Sequence, residues 1–242
     1  MIEYIDIHSH LNFPDFDVDR EEIIAQMKEK KIGTIVVGTT FETSKKAVEI
    51  ARAHDNIWAI VGCHPIYAEE GFDYDAYKQL AQEKKVVGIG ECGLDYKYPN
   101  SKQKEVFEKQ IALAQELNKP LMLHIRDAYK DVYNMIKDKS VRANAHFFAG
   151  TLEDANNFLD LGYSISFTGV ITFARDYDAL VKHIPSDRIM SETDSPYVSP
   201  KRGQRNTPLN VVDIVAKMAE LRGDTLVHMK STILENFYTF FL

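Results

Sequence analysis

The chain has few cysteines, no long apolar run and no excess of basic residues, and each shortage excludes a class of protein. Its 242 residues include two cysteines, Cys63 and Cys92, which are too few for the disulfide framework of a small secreted domain. The acidic residues Glu3 and Asp6 interrupt the opening segment, and no apolar run resembles a signal peptide or reaches the length of a membrane span. A cytoplasmic protein is therefore expected.

The charge balance is acidic. The chain has 36 Asp and Glu residues against 29 Lys and Arg residues, which gives a net charge of −7 at pH 7. A protein of this charge does not coat nucleic acid by electrostatic attraction alone, so any contact with nucleic acid must be local. A hydrophobic content of 45% and a charged content of 27% are typical of a globular protein that buries a sizeable core.

Eight short apolar runs alternate with amphipathic segments along the chain. The apolar runs cover residues 4–10, 34–39, 58–65, 86–93, 120–126, 143–150, 163–169 and 188–196. The clearest helical segments between them cover residues 20–31, 43–54, 102–118 and 151–162. This alternation indicates a parallel sheet covered by helices. We predict a single α/β domain over residues 1–242, folded as a (β/α)8 TIM barrel, with a doubly wound open sheet as the alternative.

Histidines and carboxylates lie toward the ends of the apolar runs, where the strands are predicted to stop. His8 and His10 are two residues apart, so both imidazoles point to the same face of the first strand. An H-x-H pair alone is weak support for a metal site, because isolated histidines often have a structural role. The carboxyl ends of parallel strands lie on one face of a barrel, so we expect this pair to converge with other strand-end residues. These residues are His64, Glu91, His124, His146 and Asp194.

Burial of so many imidazoles and carboxylates without partners would be costly, and a metal ion would supply the partner. Histidine nitrogen and carboxylate oxygen suit Zn²⁺, Mn²⁺ and related ions. The number of candidate ligands exceeds what one four-coordinate ion needs, which favours two ions that share a carboxylate. The alternative for Glu91 and Asp194 is a structural role in capping loops.

Six motifs in order resemble those of the TatD family of metal-dependent deoxyribonucleases, a branch of the amidohydrolase-like superfamily. They read DIHSH (6–10), GCHP (62–65), GECGLDY (90–96), PLMLHIRDA (120–128), HFFAG (146–150) and ETDSPYVSPKRGQRNTP (192–208). The segment ILENFYTFF (233–241) resembles the closing helix of the family. The chain departs from the family pattern at Ile66, Phe147 and Ala149, and none of these departures removes a proposed ligand.

The resemblance implies a two-metal site with Mg²⁺, Mn²⁺ or Zn²⁺ as the cofactor. It implies a first ion held by His8, His10, Glu91 and Asp194, and a second ion held by Glu91, His124 and His146. Glu91 would bridge the two ions and so take part in catalysis. Asp194 would also orient the nucleophilic water and accept its proton. His64 is expected to contact a substrate phosphate.

Basic residues supply further candidates for substrate binding. Lys201, Arg202 and Arg205 lie in the loop after the last predicted strand, and such loops often bind phosphate in barrels. The alternative is an ordinary solvated loop. Arg126 is the other candidate, and its alternative role is an ion pair with one of the nearby aspartates.

The sequence thus predicts a metal-dependent hydrolase that cleaves phosphodiester bonds in DNA, as an exonuclease, through a metal-activated water. DNA would bind locally at the mouth of the barrel, and no membrane or obligate protein partner is expected. Two alternatives stay open. The same site could hydrolyse a small phosphoester, lactone or amide, because chemistry depends on the site and its loops rather than on the fold. The chain could also be a metal-dependent binding protein without turnover.

Overall fold

A computed structural model describes residues 1–201 and 203–242, and it shows a barrel of eight parallel strands. The strands are β1 (Tyr4–Ser9), β2 (Ile32–Val37), β3 (Ile57–Val61), β4 (Val86–Asp95), β5 (Leu121–Arg126), β6 (Ala143–Ala145), β7 (Ser164–Phe167) and β8 (Ile189–Ser191). Each strand pairs with its neighbour in sequence, in the order β1 to β8. All eight overlap the apolar runs, which confirms that part of the prediction.

The first and last strands meet at their carboxyl ends. Ser9 and Ser195 form an isolated parallel bridge. The amide of His10 donates to the carbonyl of Ser195 at 2.8 Å, and the amide of Asp194 donates to the carbonyl of His8 at 2.9 Å. These contacts close the sheet into a (β/α)8 barrel rather than an open doubly wound sheet, and they do so beside the candidate ligands.

Helices connect the strands and cover the outside of the barrel. They are α1 (Arg20–Glu29), α2 (Phe41–Ala53), α3 (Tyr74–Ala81), α4 (Gln103–Leu117), α5 (Tyr129–Ile136), α6 (Leu152–Asp160), α7 (Asp178–His183), α8 (Val211–Arg222) and α9 (Leu226–Phe241). A capping box begins α6, because the Thr151 side chain accepts from the Asp154 amide. Within the described ranges, no helix has the length and apolarity that crossing a bilayer requires.

Strand β4 carries the longest run of buried residues in the sheet, and its course depends on Gly93. Every residue of β4 is buried, as expected for a strand with helices outside and the barrel core inside. Gly93 has a φ of +139°, and a Cβ there would overlap the carbonyl oxygen of His124 on β5. Glycine therefore lets β4 and β5 approach each other where Glu91 and His124 face the barrel mouth. Cys63 and Cys92 are buried free thiols.

Candidate metal centre

The structure brings the seven predicted strand-end residues together at the carboxyl face of the barrel. His8 lies on β1 and Glu91 on β4, and both are nearly inaccessible to solvent. His124 lies on β5, and the other four side chains lie just beyond strand ends; they are His10, His64, His146 and Asp194. The predicted convergence is therefore confirmed.

Glu91 lies at the centre of this cluster, and its two oxygens face two different groups of histidines. Oε2 is 3.4 Å from Nε2 of His8 and 3.6 Å from Nε2 of His10. Oε1 is 2.8 Å from Nδ1 of His124 and 2.9 Å from Nε2 of His146. A carboxylate arranged in this way can bridge two cations.

The first group of donor atoms has the spacing that a shared ion requires. His8 and His10 place their Nε2 atoms 3.3 Å apart. Asp194 places Oδ1 3.4 Å from Nε2 of His10 and 3.7 Å from Nε2 of His8. Ligands at about 2.1 Å from a tetrahedral ion are separated by roughly 3.4 Å, so these side chains fit a divalent cation without rearrangement.

Hydrogen bonds outside the cluster hold one ring nitrogen of His10 and one of His124, and the other ring nitrogen of each faces Glu91. Nδ1 of His10 is 3.0 Å from the carbonyl of Val37, which can only accept, so neutral His10 carries its proton on Nδ1 and offers Nε2 to an ion. Nε2 of His124 is 3.0 Å from Oδ2 of Asp95, which can only accept, so neutral His124 can keep its proton on Nε2 and offer Nδ1 to an ion. Metal ligation requires such an unprotonated nitrogen, so both tautomers suit ion binding.

His64 differs from the other histidines, because a backbone amide occupies its Nδ1. The amide of Ile66 donates to this nitrogen at 3.2 Å, so neutral His64 carries its proton on Nε2. Burial lowers the pKa of His64 and favours this neutral form. Although the donor atoms of His64, Glu91 and His124 lie within 4.8 Å of one another, the Nε2–H group is directed at Oε1 of Glu91 at 3.4 Å. His64 thus presents a hydrogen-bond donor to the cavity.

The electrostatics of the cluster suit the uptake of cations. Burial raises the pKa of the Glu91 carboxyl, but His146, His64 and His8 outweigh this effect and hold the pKa well below its ordinary value. Burial lowers the pKa of His146, but Glu91 and Glu192 outweigh it and raise the pKa well above its ordinary value. The carboxylates therefore favour positive charge among these imidazoles, and a bound divalent cation would supply it.

Three buried acidic side chains lie next to the cluster and were not among the predicted site residues. Asp95 contacts His124 as described above and is 2% exposed. Glu192 lies with Oε1 3.5 Å from Nδ1 of His146 and accepts from the Ser166 hydroxyl at 2.9 Å. The third is Asp6, which accepts from the amide of Thr193 at 2.8 Å. Each lies an even number of residues from a candidate ligand on or beside the same strand, and that spacing was the available signal.

Replacement of Asp95 with asparagine is expected to weaken metal binding about 10- to 100-fold, because the Nε2–H of His124 would lose its charged acceptor. A titration with a competing chelator measures this affinity. Asp131→Asn is the matched control, because Asp131 is a partly exposed aspartate that contacts Lys104 at 2.8 Å rather than a histidine of the cluster. Equal affinity in the wild type and Asp95→Asn would show that Asp95 only fixes the local backbone.

The basic residues predicted to bind substrate lie in different surroundings. Arg126 lines the cavity of about 630 Å³ above the metal centre. Lys201 contacts Asp213 at 3.6 Å. Arg205 forms an ion pair with Asp19 and lies over the ring of Phe16, 4.6 Å from its centroid. Neither Lys201 nor Arg205 is among the described residues that line the cavity, and Arg202 lies outside the described residues.

Comparison with known proteins finds relatives that match nearly the whole chain. The family model described as TatD related DNase matches residues 5–242. The chain is 40% identical to a Bacillus subtilis protein named uncharacterized metal-dependent hydrolase YabD, over 96% of each chain. It is 35% identical to the 3'-5' ssDNA/RNA exonuclease TatD of Pantoea ananatis, over 91% of this chain and 92% of the relative.

Among solved structures, the barrel is similar to the crystal structure of YjjV, a TatD homolog from Escherichia coli K12. The TM-score is 0.91 at 28% identity, and the match covers 99% of this chain and 98% of that one. The expected enzyme class, a hydrolase acting on ester bonds, agrees with these relatives. With the predicted barrel and a His and Glu cluster able to hold metal, these matches show that the chain belongs to the TatD family of metal-dependent hydrolases.

Proposed function

We propose that the protein hydrolyses phosphodiester bonds in DNA, as an exonuclease, with two divalent ions at the metal centre. The observation that carries this proposal is the position of Glu91, whose two oxygens face two separate histidine groups. Two-metal sites suit in-line displacement at phosphorus, because both the attacking and the leaving oxygen need stabilisation. The Pantoea ananatis relative is named as an exonuclease on single-stranded DNA and RNA, which supports a nucleic acid as substrate.

The assignment of ligands follows the two groups. We assign one ion to His8, His10, Glu91 and Asp194, and the other to Glu91, His124 and His146. The chemistry that bound Mg²⁺, Mn²⁺ or Zn²⁺ supplies is activation of a water and neutralisation of phosphate charge. Asp194 would accept the proton of the attacking water. His64 would donate its Nε2–H to a phosphate oxygen, because its tautomer makes that nitrogen a donor.

A nuclease assay with end-labelled DNA tests this proposal. We expect the metal-reconstituted protein to release nucleotides from one end, and Glu91→Gln protein to serve as the blank. Absence of nucleotide release from single-stranded and duplex DNA with Mg²⁺, Mn²⁺, Co²⁺ and Zn²⁺ would contradict the proposal.

The cavity of about 630 Å³ also admits a small ester. Faster turnover of small phosphoesters, lactones or amides than of oligonucleotides would favour the alternative substrate class, and DNA binding without cleavage would favour a binding protein.

Arg126 is the cavity residue best placed to contact substrate phosphate. We expect Arg126→Gln to raise KM for DNA and to leave kcat nearly unchanged. The slope of log binding constant against log salt concentration should become shallower by about one or less, because one phosphate contact is lost. The comparison variant carries Lys201→Gln with Arg205→Gln, whose native charges contact acidic side chains. A larger loss in this double variant than in Arg126→Gln would instead support the substrate-binding loop expected from the sequence.

A further inference from the structure

Three exposed tyrosines border the cavity, and each follows a residue of the metal centre at the same spacing. The side chains of Tyr67, Tyr98 and Tyr197 are 36%, 55% and 54% exposed, and all three line the cavity. Each lies three residues after a side chain already described, and the pairs are His64 with Tyr67, Asp95 with Tyr98, and Asp194 with Tyr197. Large apolar side chains clustered around one cavity mark a binding site more often than scattered ones do.

The backbone of each tyrosine is fixed to its partner by a hydrogen bond from the tyrosine amide. The acceptors are the carbonyl of His64 at 2.9 Å, Oδ1 of Asp95 at 3.2 Å and the carbonyl of Asp194 at 2.9 Å. Side-chain amides hold two of the tyrosines from the other side, because Gln103 donates to the carbonyl of Tyr98 and Asn206 to that of Tyr197. These hydrogen bonds fix the backbones of the three tyrosines beside the metal centre, while their rings stay exposed.

The rings lie close to the centre itself. The ring centroid of Tyr67 is 6.3 Å from that of His64, and the ring centroid of Tyr197 is 6.3 Å from that of His10. A nucleotide whose phosphate reached the ions would bring its own base, or the next one, within contact of these rings.

Positive charge is scarce around the same cavity. Within residues 1–201 and 203–242, Arg126 is the only Lys or Arg side chain in its lining. Proteins that hold single strands combine cationic grooves with aromatic side chains, and stacking tolerates any base because every base has a flat face. Among the described residues that line this cavity, exposed tyrosine rings therefore outnumber cationic side chains.

We propose that Tyr67, Tyr98 and Tyr197 form a stacking platform for unpaired bases at the end of a nucleic-acid strand. This inference rests on the proposed phosphodiesterase function and defines its substrate further. The preferred substrate is a single-stranded end that carries bases, with little dependence on which bases they are. A duplex end is disfavoured, because the faces of its bases are covered by their neighbours.

The test compares two oligonucleotides of equal charge. One carries natural bases at its last three nucleotides, and the other carries abasic residues there. Binding is measured by fluorescence anisotropy with the metal chelated, and cleavage is measured as kcat/KM with metal present. We expect the wild type to favour the base-bearing strand by about tenfold in both measurements, which is the size of one stacked base.

Substitutions at the three tyrosine positions test whether the aromatic rings cause the preference for bases. Leucine at positions 67, 98 and 197, singly and together, keeps an apolar side chain but removes the flat face, so the preference for bases should disappear in the triple variant. Phenylalanine at the same positions should retain the preference. Tyr238→Leu, on α9 and 47% exposed, is the matched control away from the cavity and should leave the preference unchanged. Metal content and thermal unfolding of each variant confirm that the centre is intact.

The outcomes separate this inference from the proposed function. If the wild type cleaves neither strand but binds the base-bearing strand more tightly through the tyrosines, the stacking platform stands and the phosphodiesterase proposal fails. If the wild type cleaves both strands and shows equal binding and equal kcat/KM, the platform is refuted while the enzyme activity stands. An unchanged preference in the triple leucine variant would also refute the platform.

Discussion

Glutamine at position 91 is expected to abolish the paired metal site and to lower the rate of hydrolysis at least about a hundredfold, given the several kcal/mol that catalytic metals contribute. The side chain keeps its shape, but it loses the negative charge that lies between the two histidine groups. One of the two carboxylate oxygens also becomes an amide nitrogen, which cannot serve as a ligand. The histidines that now lie 2.8 to 3.6 Å from the Glu91 oxygens would lose their common partner.

Metal analysis of the purified protein measures this effect together with activity. Wild-type protein should bind two ions per chain, and Glu91→Gln should bind fewer. Addition of a divalent ion should raise the melting temperature of the wild type more than that of the variant, because ligands that bind only the folded state stabilise it. Glu69→Gln, a change at an exposed glutamate near the barrel mouth, is the control. Normal activity with two ions still bound would refute the bridging role of Glu91.

Asparagine at position 194 is expected to lower kcat by about a hundredfold or more, which is the range for loss of a general base. Asp194 has a φ of +53°, in the left-handed region that Asn also adopts readily, so the substitution adds little backbone strain. The variant therefore removes the proton acceptor and the charge while it preserves the local fold.

Saturating metal distinguishes the two roles that we propose for Asp194. If Asp194 only ligates an ion, excess metal should restore kcat in Asp194→Asn, because the weakened site refills. If Asp194 also accepts the proton of the attacking water, kcat should stay low when metal analysis shows both sites full. Full recovery of kcat would thus refute the catalytic role and retain the ligand role.

Sequence periodicity was sufficient to predict the barrel and the converging residues, because each strand gives an apolar run and each candidate ligand lies toward the end of one. It was not sufficient to place the carboxylates behind the cluster. The apolar run of β4 was predicted to end at residue 93, whereas the strand extends to Asp95. Asp95 therefore fell beyond the predicted strand, so its even spacing from Glu91 did not lead to its prediction as a site residue.

The basic loop shows a second limit of the sequence. Arg205 was expected to contact substrate, but its partner Asp19 lies 186 residues away in sequence, so no local pattern could indicate the ion pair. The tautomer of His64 is a similar case. It depends on the direction of the Ile66 amide, which follows from the turn at the start of the short helix after β3. Contacts that form only in the folded structure cannot be predicted from the spacing of residues in the sequence.

The burial of both native thiols has a practical consequence for attaching the protein to surfaces and probes. Cys63 and Cys92 are 3% and 0% exposed, so thiol reagents should not modify the folded chain readily. A cysteine placed at Lys30, which is exposed just before β2 begins, would then be the accessible coupling point. Because strand β2 begins at the end of the barrel opposite the metal centre, immobilisation through this position would leave the mouth facing solution.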